Sequence, residues 1–261
     1  MVVRTDRDEP VATITLNRPD VRNAMNIALL EALTESLREA DADDEVGAII
    51  LTGADPAFCA GVDLKAAAAG EFDLSGGGPD LPAVFHDLDT PVIGAVNGVT
   101  VTGGLELALL CDFLIASDRA RFADTHARVG IHPSWGLTAT LPQAVGIRYA
   151  RQMSFTGNYV DADEAARIGL VNQVVPHDEL LPTVERLAAD IASNDAVAVS
   201  AIRRTYLEVS ATTLAEGLTL ERRRAADLRF DPEEVDRRRE AVIARGREQT
   251  GSDPGAEPDQ G

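Results

Sequence analysis

Positively charged side chains are scarce in this sequence, and lysine is almost absent. Lys65 is the only lysine among 261 residues, and 43 Asp and Glu residues against 24 Lys and Arg residues give a formal net charge of −19. A surface this acidic repels phosphate groups, so the composition argues against a nucleic-acid partner and against binding to an anionic membrane. An anionic small ligand would need a local cluster of basic residues.

Cysteines and long apolar runs are also scarce. Cys59 and Cys111 are too few for a disulfide scaffold, and their apolar neighbours predict buried, reduced thiols. No apolar run reaches the roughly 18 residues of a membrane span. The first ten residues, MVVRTDRDEP, lack the apolar segment of a signal peptide. Together these absences predict a cytoplasmic protein.

The sequence does contain an alternation of strand and helix patterns. Strands are predicted from β-branched or continuous apolar runs and helices from apolar residues at helical spacing. The predicted order is strand, helix, strand, strand, helix, strand, over residues 11–16, 27–41, 46–53, 91–98, 103–110 and 112–117. Alternation of this kind favours an α/β layered fold.

The final third of the chain has a different pattern. From about residue 178 onward the spacing of apolar residues predicts helices throughout, and the last stretch, TGSDPGAEPDQG, has a disordered composition. We therefore expect a core over residues 1–195, a helical region over 196–247 and a disordered tail over 248–261.

Two segments share one local design, a buried strand that runs through small residues into a helix start. They are FCAGVDL (58–64) and VTGGLEL (101–107). Such turns present free backbone N–H groups at the positive end of a helix. If the two turns face each other, the N–H groups of Val62 and Gly103 could converge on one oxygen and form an oxyanion hole. The alternative is that each turn is only a tight strand-to-helix connection.

A carboxylate, Glu106, follows the second turn inside an otherwise apolar helix, LELALL. Burying a charge is costly unless it is compensated, so this residue needs an explanation. One explanation is a catalytic acid or base beside the oxyanion hole. The other is structural, because a glutamate in the first turn of a helix is stabilised by the helix dipole and can accept hydrogen bonds from backbone amides.

Four ordered motifs resemble those of the enoyl-CoA hydratase/isomerase (crotonase) superfamily. The resemblance covers about residues 10–195, and the motifs are NRPDVRNAMN (17–26), LTGADPAFCAGVDLK (51–65), PVIGAVNGVTVTGGLELALLCD (91–112) and FTGNYVDADEAARIGLVNQVVP (155–176). The resemblance implies a spiral of strand-strand-helix repeats with a C-terminal helical trimerisation region. It also implies an acyl-CoA thioester substrate and assembly as a homotrimer or a dimer of trimers.

The resemblance also assigns the reacting groups. The thioester oxygen would bind between the N–H groups of Val62 and Gly103, and the first catalytic glutamate of the family falls on Glu106. Hydratases of this family usually have a second glutamate at the position that His126 occupies here. A histidine can donate or accept a proton near neutral pH, so His126 could assist Glu106. As an alternative, His126 is a turn-stabilising or solvent-facing residue.

The function predicted on this basis is hydration of a trans-2-enoyl-CoA. Isomerisation is a weaker alternative, because isomerases of the superfamily tend to keep a carboxylate where His126 stands. Decarboxylation and thioester hydrolysis would use the same oxyanion hole and remain open. A further alternative is an acyl-CoA binder without efficient chemistry, since the second acid is replaced and the bulky Ser134, Trp135 and Leu137 stand where relatives commonly have small residues.

The substrate contacts are also assigned from the resemblance. The residues expected to bind the acyl group or CoA are Arg22, Ala60, Asp63, Leu64, Lys65 and Trp135. Arg22 and Lys65 could instead be ordinary exposed charges. The basic stretch RRREAVIARGR in the last helix departs from the family pattern and receives no binding role.

No cofactor is expected beyond the CoA that belongs to the substrate. The reaction implied by the resemblance needs no redox group. The histidines lack the clustered spacing of a zinc site, so no metal is predicted; they are His86, His126, His132 and His177.

Overall fold

The structure, a computed structural model, describes residues 1–70, 78–227 and 232–250. Ten strands lie in this part of the chain. They are β1 (Val3–Asp8), β2 (Val11–Leu16), β3 (Ala48–Gly53), β4 (Ala57–Cys59), β5 (Val92–Val96), β6 (Val99–Val101), β7 (Phe113–Ser117), β8 (Arg121–Ala123), β9 (Val160–Asp161) and β10 (Gln173–Val175).

Twelve α-helices and two short 3-10 helices, Pro19–Val21 and His177–Glu179, complete the described elements. The α-helices are α1 (Ile27–Asp41), α2 (Leu64–Ala68), α3 (Leu81–Asp87), α4 (Gly103–Leu110), α5 (His126–Val129), α6 (Leu137–Val145), α7 (Ile147–Thr156), α8 (Ala162–Arg167), α9 (Leu180–Ala192), α10 (Ala196–Val209), α11 (Leu214–Asp227) and α12 (Pro232–Thr250).

The strands form two sheets. The larger sheet has the order β1-β2-β3-β5-β7-β10, and every neighbouring pair in it is parallel except β1 and β2. The smaller sheet has the order β4-β6-β8-β9, with β4, β6 and β8 parallel to one another. The mixed, mostly parallel arrangement confirms the predicted α/β class.

The chain alternates between the two sheets in a repeated unit. Three consecutive units, β3-β4-α2, β5-β6-α4 and β7-β8-α5, each give one strand to the larger sheet, one to the smaller sheet, and then start a helix. These are the strand-strand-helix repeats that the resemblance implies. Because β4, β6 and β8 are parallel neighbours, the turns that follow them lie side by side at one edge of the smaller sheet.

Both faces of the larger sheet are covered, which explains its continuous apolar strands. All six residues of β3 are buried. On one face its Ile49 and Leu51 belong to a core shared with the apolar side of α1, and on the other Ile50 packs with residues of α9 such as Val184. Helix α1 begins after Asn26, whose side chain accepts a hydrogen bond from the Leu29 N–H at 3.0 Å.

Most predicted elements of the core are confirmed, but four strands were missed, β1, β8, β9 and β10. The strand at 11–16 and the helices at 27–41 and 103–110 have their predicted limits. The strand predicted from residue 46 begins at Ala48 instead. Strand β1 escaped prediction because its sequence, VRTDRD, is mostly charged; only its antiparallel pairing with β2 makes it a strand.

The chain divides into two compact units, Met1–Leu207 and Glu208–Gly261. The predicted domain limits, at residues 195 and 247, remain predictions. In the predicted tail, residues 248–250 belong to α12, and residues 251–261 lie outside the described residues. Within the second unit Arg224 pairs with Glu208. None of the described helices is both long and apolar enough to cross a lipid bilayer.

Candidate active site

The candidate site lies where the turns after β4, β6 and β8 meet. The β6–β8 register pairs Val101 with Ala123, and the Thr102 N–H continues it by donating to the Ala123 carbonyl at 2.9 Å. Helix α4 begins at Gly103 and α5 at His126. Thus Glu106, one turn into α4, and His126, at the start of α5, face each other although twenty residues separate them in the sequence.

The first of the three turns presents the Val62 amide. The Met25 N–H donates to the Gly61 carbonyl and the Asp63 N–H donates to the Met25 carbonyl, each at 2.8 Å. Val62 lies between Gly61 and Asp63 in the sequence, and successive residues of an extended chain direct their backbone groups to opposite sides. The Val62 N–H is therefore directed away from Met25.

The second turn brings the Gly103 amide beside Val62. A Cβ placed on Gly103 would lie 3.5 Å from Val62 Cγ2, and one placed on Gly61 would lie 3.4 Å from the Gly103 nitrogen. The two turns therefore lie next to each other. Gly103 is the first residue of α4, so its N–H has no acceptor within the helix and lies at the positive end of the helix dipole.

Close backbone contact between β4 and α4 depends on glycine. A Cβ on Gly104 would lie 2.1 Å from the Cys59 carbonyl oxygen, which no side chain can accommodate. Gly61 has a φ of +89°, a conformation that other residues rarely adopt. Thr102, before Gly103, also has a positive φ of 56°, and its hydroxyl bonds that of Thr125.

The Glu106 carboxylate is buried, with 3% of the residue exposed, and its two oxygens have different partners. The Trp135 N–H donates to Oε1 at 2.8 Å, and His126 Nε2 lies 3.4 Å from Oε2. The carboxylate thus bonds a distant loop and not the amides of its own first turn. Its side chain therefore extends across the site and does not cap the amides of its own turn, whereas its place in the first turn of α4 agrees with stabilisation by the helix dipole.

His126 is buried between two carboxylates. Its Nδ1 lies 2.6 Å from Asp124 Oδ1, while Nε2 faces Glu106, and only 5% of the residue is exposed. Burial by itself lowers the pKa of His126, but the contacts with Asp124 and Glu106 outweigh burial and raise this pKa to about 9. The solvent-facing alternative for His126 is wrong, because α4 and its own loop enclose the ring.

Asp124 is the other acid at this histidine and is 1% exposed. Burial raises its pKa, but hydrogen bonds from His126 and from Ser154 on α7 prevail and hold the pKa of Asp124 below its usual value. Asp124 also accepts the His126 backbone N–H at 3.2 Å. We did not predict a role for Asp124 from the sequence, where only its position two residues before His126 indicated one.

Most of the remaining predicted residues lie around the first turn. Asp63 caps α2 by accepting the N–H groups of Lys65 and Ala66, and Arg18 bonds its other oxygen at 3.0 Å. The Ala60 N–H donates to the Arg22 carbonyl at 2.9 Å, which ties this turn to the loop after β2. The role of Arg18 as a support for the turn was also missed.

The side chains of Arg22, Leu64 and Lys65 are exposed, whereas Glu106 and His126 are buried. Trp135 is half-buried, and its Cζ3 would lie 3.6 Å from a Cβ on Gly103, so its ring covers the second turn. Within the residues that the structure describes, no group of three or more His, Cys, Asp or Glu side chains is placed to hold a metal ion.

The two predicted buried thiols are confirmed. Cys59 and Cys111 are free and buried. Burial raises the pKa of Cys59 to about 12 and raises that of Cys111 as well, so neither thiol has nucleophilic character at neutral pH.

A family model for enoyl-CoA hydratase/isomerase matches residues 6–243. The chain belongs to this family. Among relatives, a probable peroxisomal enoyl-CoA hydratase of Arabidopsis thaliana is 39% identical over 216 residues, which cover 82% of each chain. The resemblance found in the four sequence motifs is thereby confirmed.

Solved structures of the hydratase/isomerase family have the same fold. The enoyl-CoA hydratase of Mycobacterium tuberculosis H37Rv is 52% identical, with a TM-score of 0.74, over 85% of this chain and 96% of that chain. The enoyl-CoA hydratase of Bacillus anthracis is 32% identical, with a TM-score of 0.85, over 93% of this chain and 97% of that chain. The similarity therefore extends over both the core and most of the C-terminal helices.

Proposed function

We propose that this protein hydrates the 2,3 double bond of an enoyl-CoA, with Glu106 and His126 as its acid–base pair. The observation that carries the proposal is the contact between the Glu106 carboxylate and the His126 imidazole beside the turns of Val62 and Gly103. Relatives named enoyl-CoA hydratases support it. This pair differs chemically from the two glutamates usual in hydratases of the family, because His126 carries a proton that it can donate at neutral pH.

The first step is polarisation of the thioester. The N–H groups of Val62 and Gly103 hydrogen-bond the thioester oxygen and bind it more tightly as negative charge develops on it. Fixed donors of this kind each contribute roughly 2.7–4 kcal/mol to transition-state stabilisation. Electron withdrawal toward this oxygen makes Cβ electrophilic.

The second step adds water. Glu106 takes a proton from water as the oxygen forms a bond to Cβ, and the π electrons of the double bond move toward the thioester as an enolate. His126 then gives its Nε2 proton to Cα, and the C–O double bond of the thioester is restored. Water has been added, Glu106 is protonated and His126 is neutral. Because Glu106 Oε2 and His126 Nε2 are 3.4 Å apart, a small movement returns the proton to His126.

The ligand contacts remain a proposal. We assign the acyl group to the space beside Trp135 and the CoA moiety to the exposed side of the first turn, with Lys65 and Arg22 as the positive groups for its phosphates. Both side chains are exposed near that turn. Ala60, Asp63 and Leu64 complete the proposed substrate contacts.

The test is the loss of enoyl absorbance when crotonyl-CoA and longer enoyl-CoA thioesters are incubated with wild type, Glu106→Gln and His126→Gln. Wild type is expected to turn over, and each variant to lose about 10²–10⁴-fold in kcat, the range for a positioned acid or base. Glu39→Gln and His86→Gln make the same substitutions at exposed positions and serve as controls that keep full activity.

Two outcomes would contradict the proposal. If wild type binds acyl-CoA but consumes no enoyl thioester, the protein is an acyl-CoA binder and not a hydratase. Wild type that moves the double bond, decarboxylates a malonyl-type thioester or hydrolyses a saturated acyl-CoA, yet adds no water, uses the oxyanion hole for another reaction.

We further propose that the reaction requires no metal or redox cofactor and that CoA enters only as part of the substrate. Every step above uses groups of this chain and water. Activity is therefore expected to survive dialysis against EDTA and to be unchanged when a divalent metal is added back. A loss of activity that added metal restores would contradict the proposal that no metal is required.

We propose assembly as a homotrimer or a dimer of trimers. Apolar side chains that a monomer leaves exposed support this: Val197, Ile202 and Tyr206 on α10 are each more than half exposed. Sedimentation equilibrium is expected to give three or six times the chain mass of 27.7 kDa. A monomer at micromolar concentration would contradict it.

We also propose a cytoplasmic location. The two free, buried cysteines support it, since unpaired thiols are usual in a reducing compartment. Cell fractionation with antibody detection tests this, and recovery in the secreted fraction would contradict it.

A further inference from the structure

The acid–base pair has a third member that binds the far side of the histidine ring. We propose that Asp124 is a positioning residue that holds His126 as a cation, with Nδ1–H on Asp124 and Nε2–H directed at Glu106, so that His126 is the proton donor of the site. This inference rests on the proposed function and adds the residue that orients the donor.

The placement of Asp124 leaves the ring little freedom. Asp124 Oδ1 lies 2.6 Å from His126 Nδ1 and 3.2 Å from the His126 backbone N–H, so one oxygen binds both the ring and the main chain of the same residue. Ser154 on α7 contributes to the lowered pKa of the same carboxylate. Two contacts of Asp124, with the main chain and with the ring of His126, therefore fix the orientation of the ring.

The protonation state follows from what each ring nitrogen faces. A neutral imidazole has one N–H and one lone pair, whereas an imidazolium has two N–H groups. In this site both nitrogens face carboxylate oxygens, Nδ1 at Asp124 and Nε2 at Glu106. Carboxylates only accept, so a neutral ring would direct its lone pair at one of them. The cation satisfies both contacts, and the raised pKa of His126 has the same cause.

The hydrogen bonds of the His126 ring also remain complementary to Asp124 and Glu106 through the reaction. After His126 gives its Nε2 proton to Cα, its Nδ1–H still binds Asp124, so the ring keeps one tautomer and one orientation. Its free Nε2 lone pair then faces Glu106, which has just gained a proton from water. Return of that proton restores the starting state without rotation of the ring.

Few other charges face His126. Asp124 belongs to its own loop and Glu106 to α4. Helix α7, which packs on α5, contributes the neutral Ser154. The guanidinium of Arg128, the nearest cation on α5, instead bonds the Thr156 carbonyl and Asn158. Asp124 and Glu106 therefore dominate the charge state of the imidazole.

The experiment is the pH dependence of kcat/KM for enoyl-CoA hydration by wild type and by Asp124→Asn, which keeps the shape and removes the charge. Wild type is expected to lose activity as the pH rises through about 9. Removing a neighbouring charge lowers a histidine pKa by about 1–3 units, so the alkaline limb of the variant moves down by that amount. The variant should then approach wild type at pH 6 and fall about 3–200-fold below it at pH 8.5, according to the size of the shift.

The matched control is Asp87→Asn, since Asp87 lies 3.3 Å from His86 Nδ1 in a His–Asp pair that is exposed. It is expected to leave the profile unchanged. If Asp124 had only a structural role, Asp124→Asn would lower kcat/KM by the same factor at every pH, and the pH at which activity falls would not change. That result would overturn the proposal.

Nitrogen NMR of histidine-labelled wild type gives a readout that needs neither turnover nor a folded Asp124→Asn variant. His126, assigned by its absence in His126→Gln, is expected to show two protonated ring nitrogens at pH 7.5 and to titrate at about 9. A single N–H at pH 7.5 would overturn the proposal. If wild type fails to hydrate enoyl-CoA while His126 shows this signature, the proposed function fails and the Asp124–His126 geometry stands.

Discussion

Gly104 occupies the point where the first turn of α4 touches the backbone of β4. A Cβ at this position would lie 2.1 Å from the Cys59 carbonyl oxygen and 2.8 Å from its carbonyl carbon. Both atoms are backbone, so they cannot turn aside as a side chain can. At the residue scale, this glycine sets how closely the Gly103 amide approaches the turn of Val62.

Gly104→Ala is therefore expected to move α4 away from β4 and to weaken the oxyanion hole. The unfolding free energy should fall by about 1–3 kcal/mol, the usual range for overpacking, and kcat should fall as well. Urea denaturation and the hydration assay measure the two effects. Gly246→Ala in α12 is the control, because nothing lies within 4 Å of a Cβ there; an equal loss in both variants would contradict the steric explanation.

Helix α2 begins directly after the Val62 turn, and Asp63 is its N-cap. Its carboxylate accepts the Lys65 and Ala66 N–H groups at 3.2 and 3.3 Å and is bonded by Arg18. The cap thus fixes where α2 begins. It also fixes the orientation of the amide of Val62, the residue before it.

Asp63→Ala is expected to cost about 1 kcal/mol of stability, the usual value for a lost N-cap, and to lower kcat/KM because the Val62 turn loosens. Asp63→Asn keeps a capping oxygen and should lose less of both. Asp80→Ala removes the N-cap of α3, where Asp80 accepts the Ala83 N–H at 3.2 Å, and should lower stability alone. A similar kcat/KM for Asp63→Ala and Asp80→Ala would contradict the link to the active site.

Helix α10 is anchored by a buried cation. Arg203, 6% exposed, pairs with Asp112 at 2.9 Å and donates to the carbonyls of Leu88 and Phe85. Its neighbour Arg204 pairs with Asp89 at the surface. Two adjacent arginines thus make the same kind of contact in different solvent environments.

Arg203→Met is expected to lower the unfolding free energy by about 3–5 kcal/mol, because it leaves the Asp112 charge and two carbonyls without their buried partner. Arg204→Met should change it by at most about 1 kcal/mol, the usual limit for an exposed pair. Thermal denaturation of both variants measures the difference. Equal effects of the two substitutions would show that burial does not set the strength of these contacts.

At the scale of the whole molecule, His126 links stability to pH. Its pKa is about 9 in the folded protein and about 6.5 in an unfolded chain. The folded state therefore binds this proton more tightly, and the stabilisation is fully present below pH 6.5 and is lost as the pH rises through about 9. The lowered pKa of Asp124 acts at the acid end, where stability is lost as the pH falls through that pKa.

Wild type is expected to lose up to about 3 kcal/mol of unfolding free energy between pH 6.5 and 9 from this group. His126→Gln should lack this component and show a flatter dependence, whereas His86→Gln should keep it. Urea unfolding at a series of pH values measures the slopes. Parallel slopes for wild type and His126→Gln would contradict the proton linkage.

Many features of the fold and the site could be predicted from the sequence because their signals are local. Alternating and helical apolar patterns gave β2, α1 and α4 their correct limits. Small residues after two strands marked the turns of Val62 and Gly103. A lone acid in an apolar helix singled out Glu106. Each signal lies within a few residues, which is the range over which backbone propensity and side-chain periodicity act.

By itself, the sequence determined the family, the repeated strand-strand-helix order and the candidate reacting residues Glu106 and His126. Only the tertiary structure decided their relation: β6 and β8 lie side by side, which brings Glu106 to one ring nitrogen of His126 and leaves Asp124 on the other. The physical reason is that local patterns specify elements, whereas a charge or a tautomer depends on which distant groups burial brings together. The anchor Arg203 is a second example, since its partner Asp112 is 91 residues away.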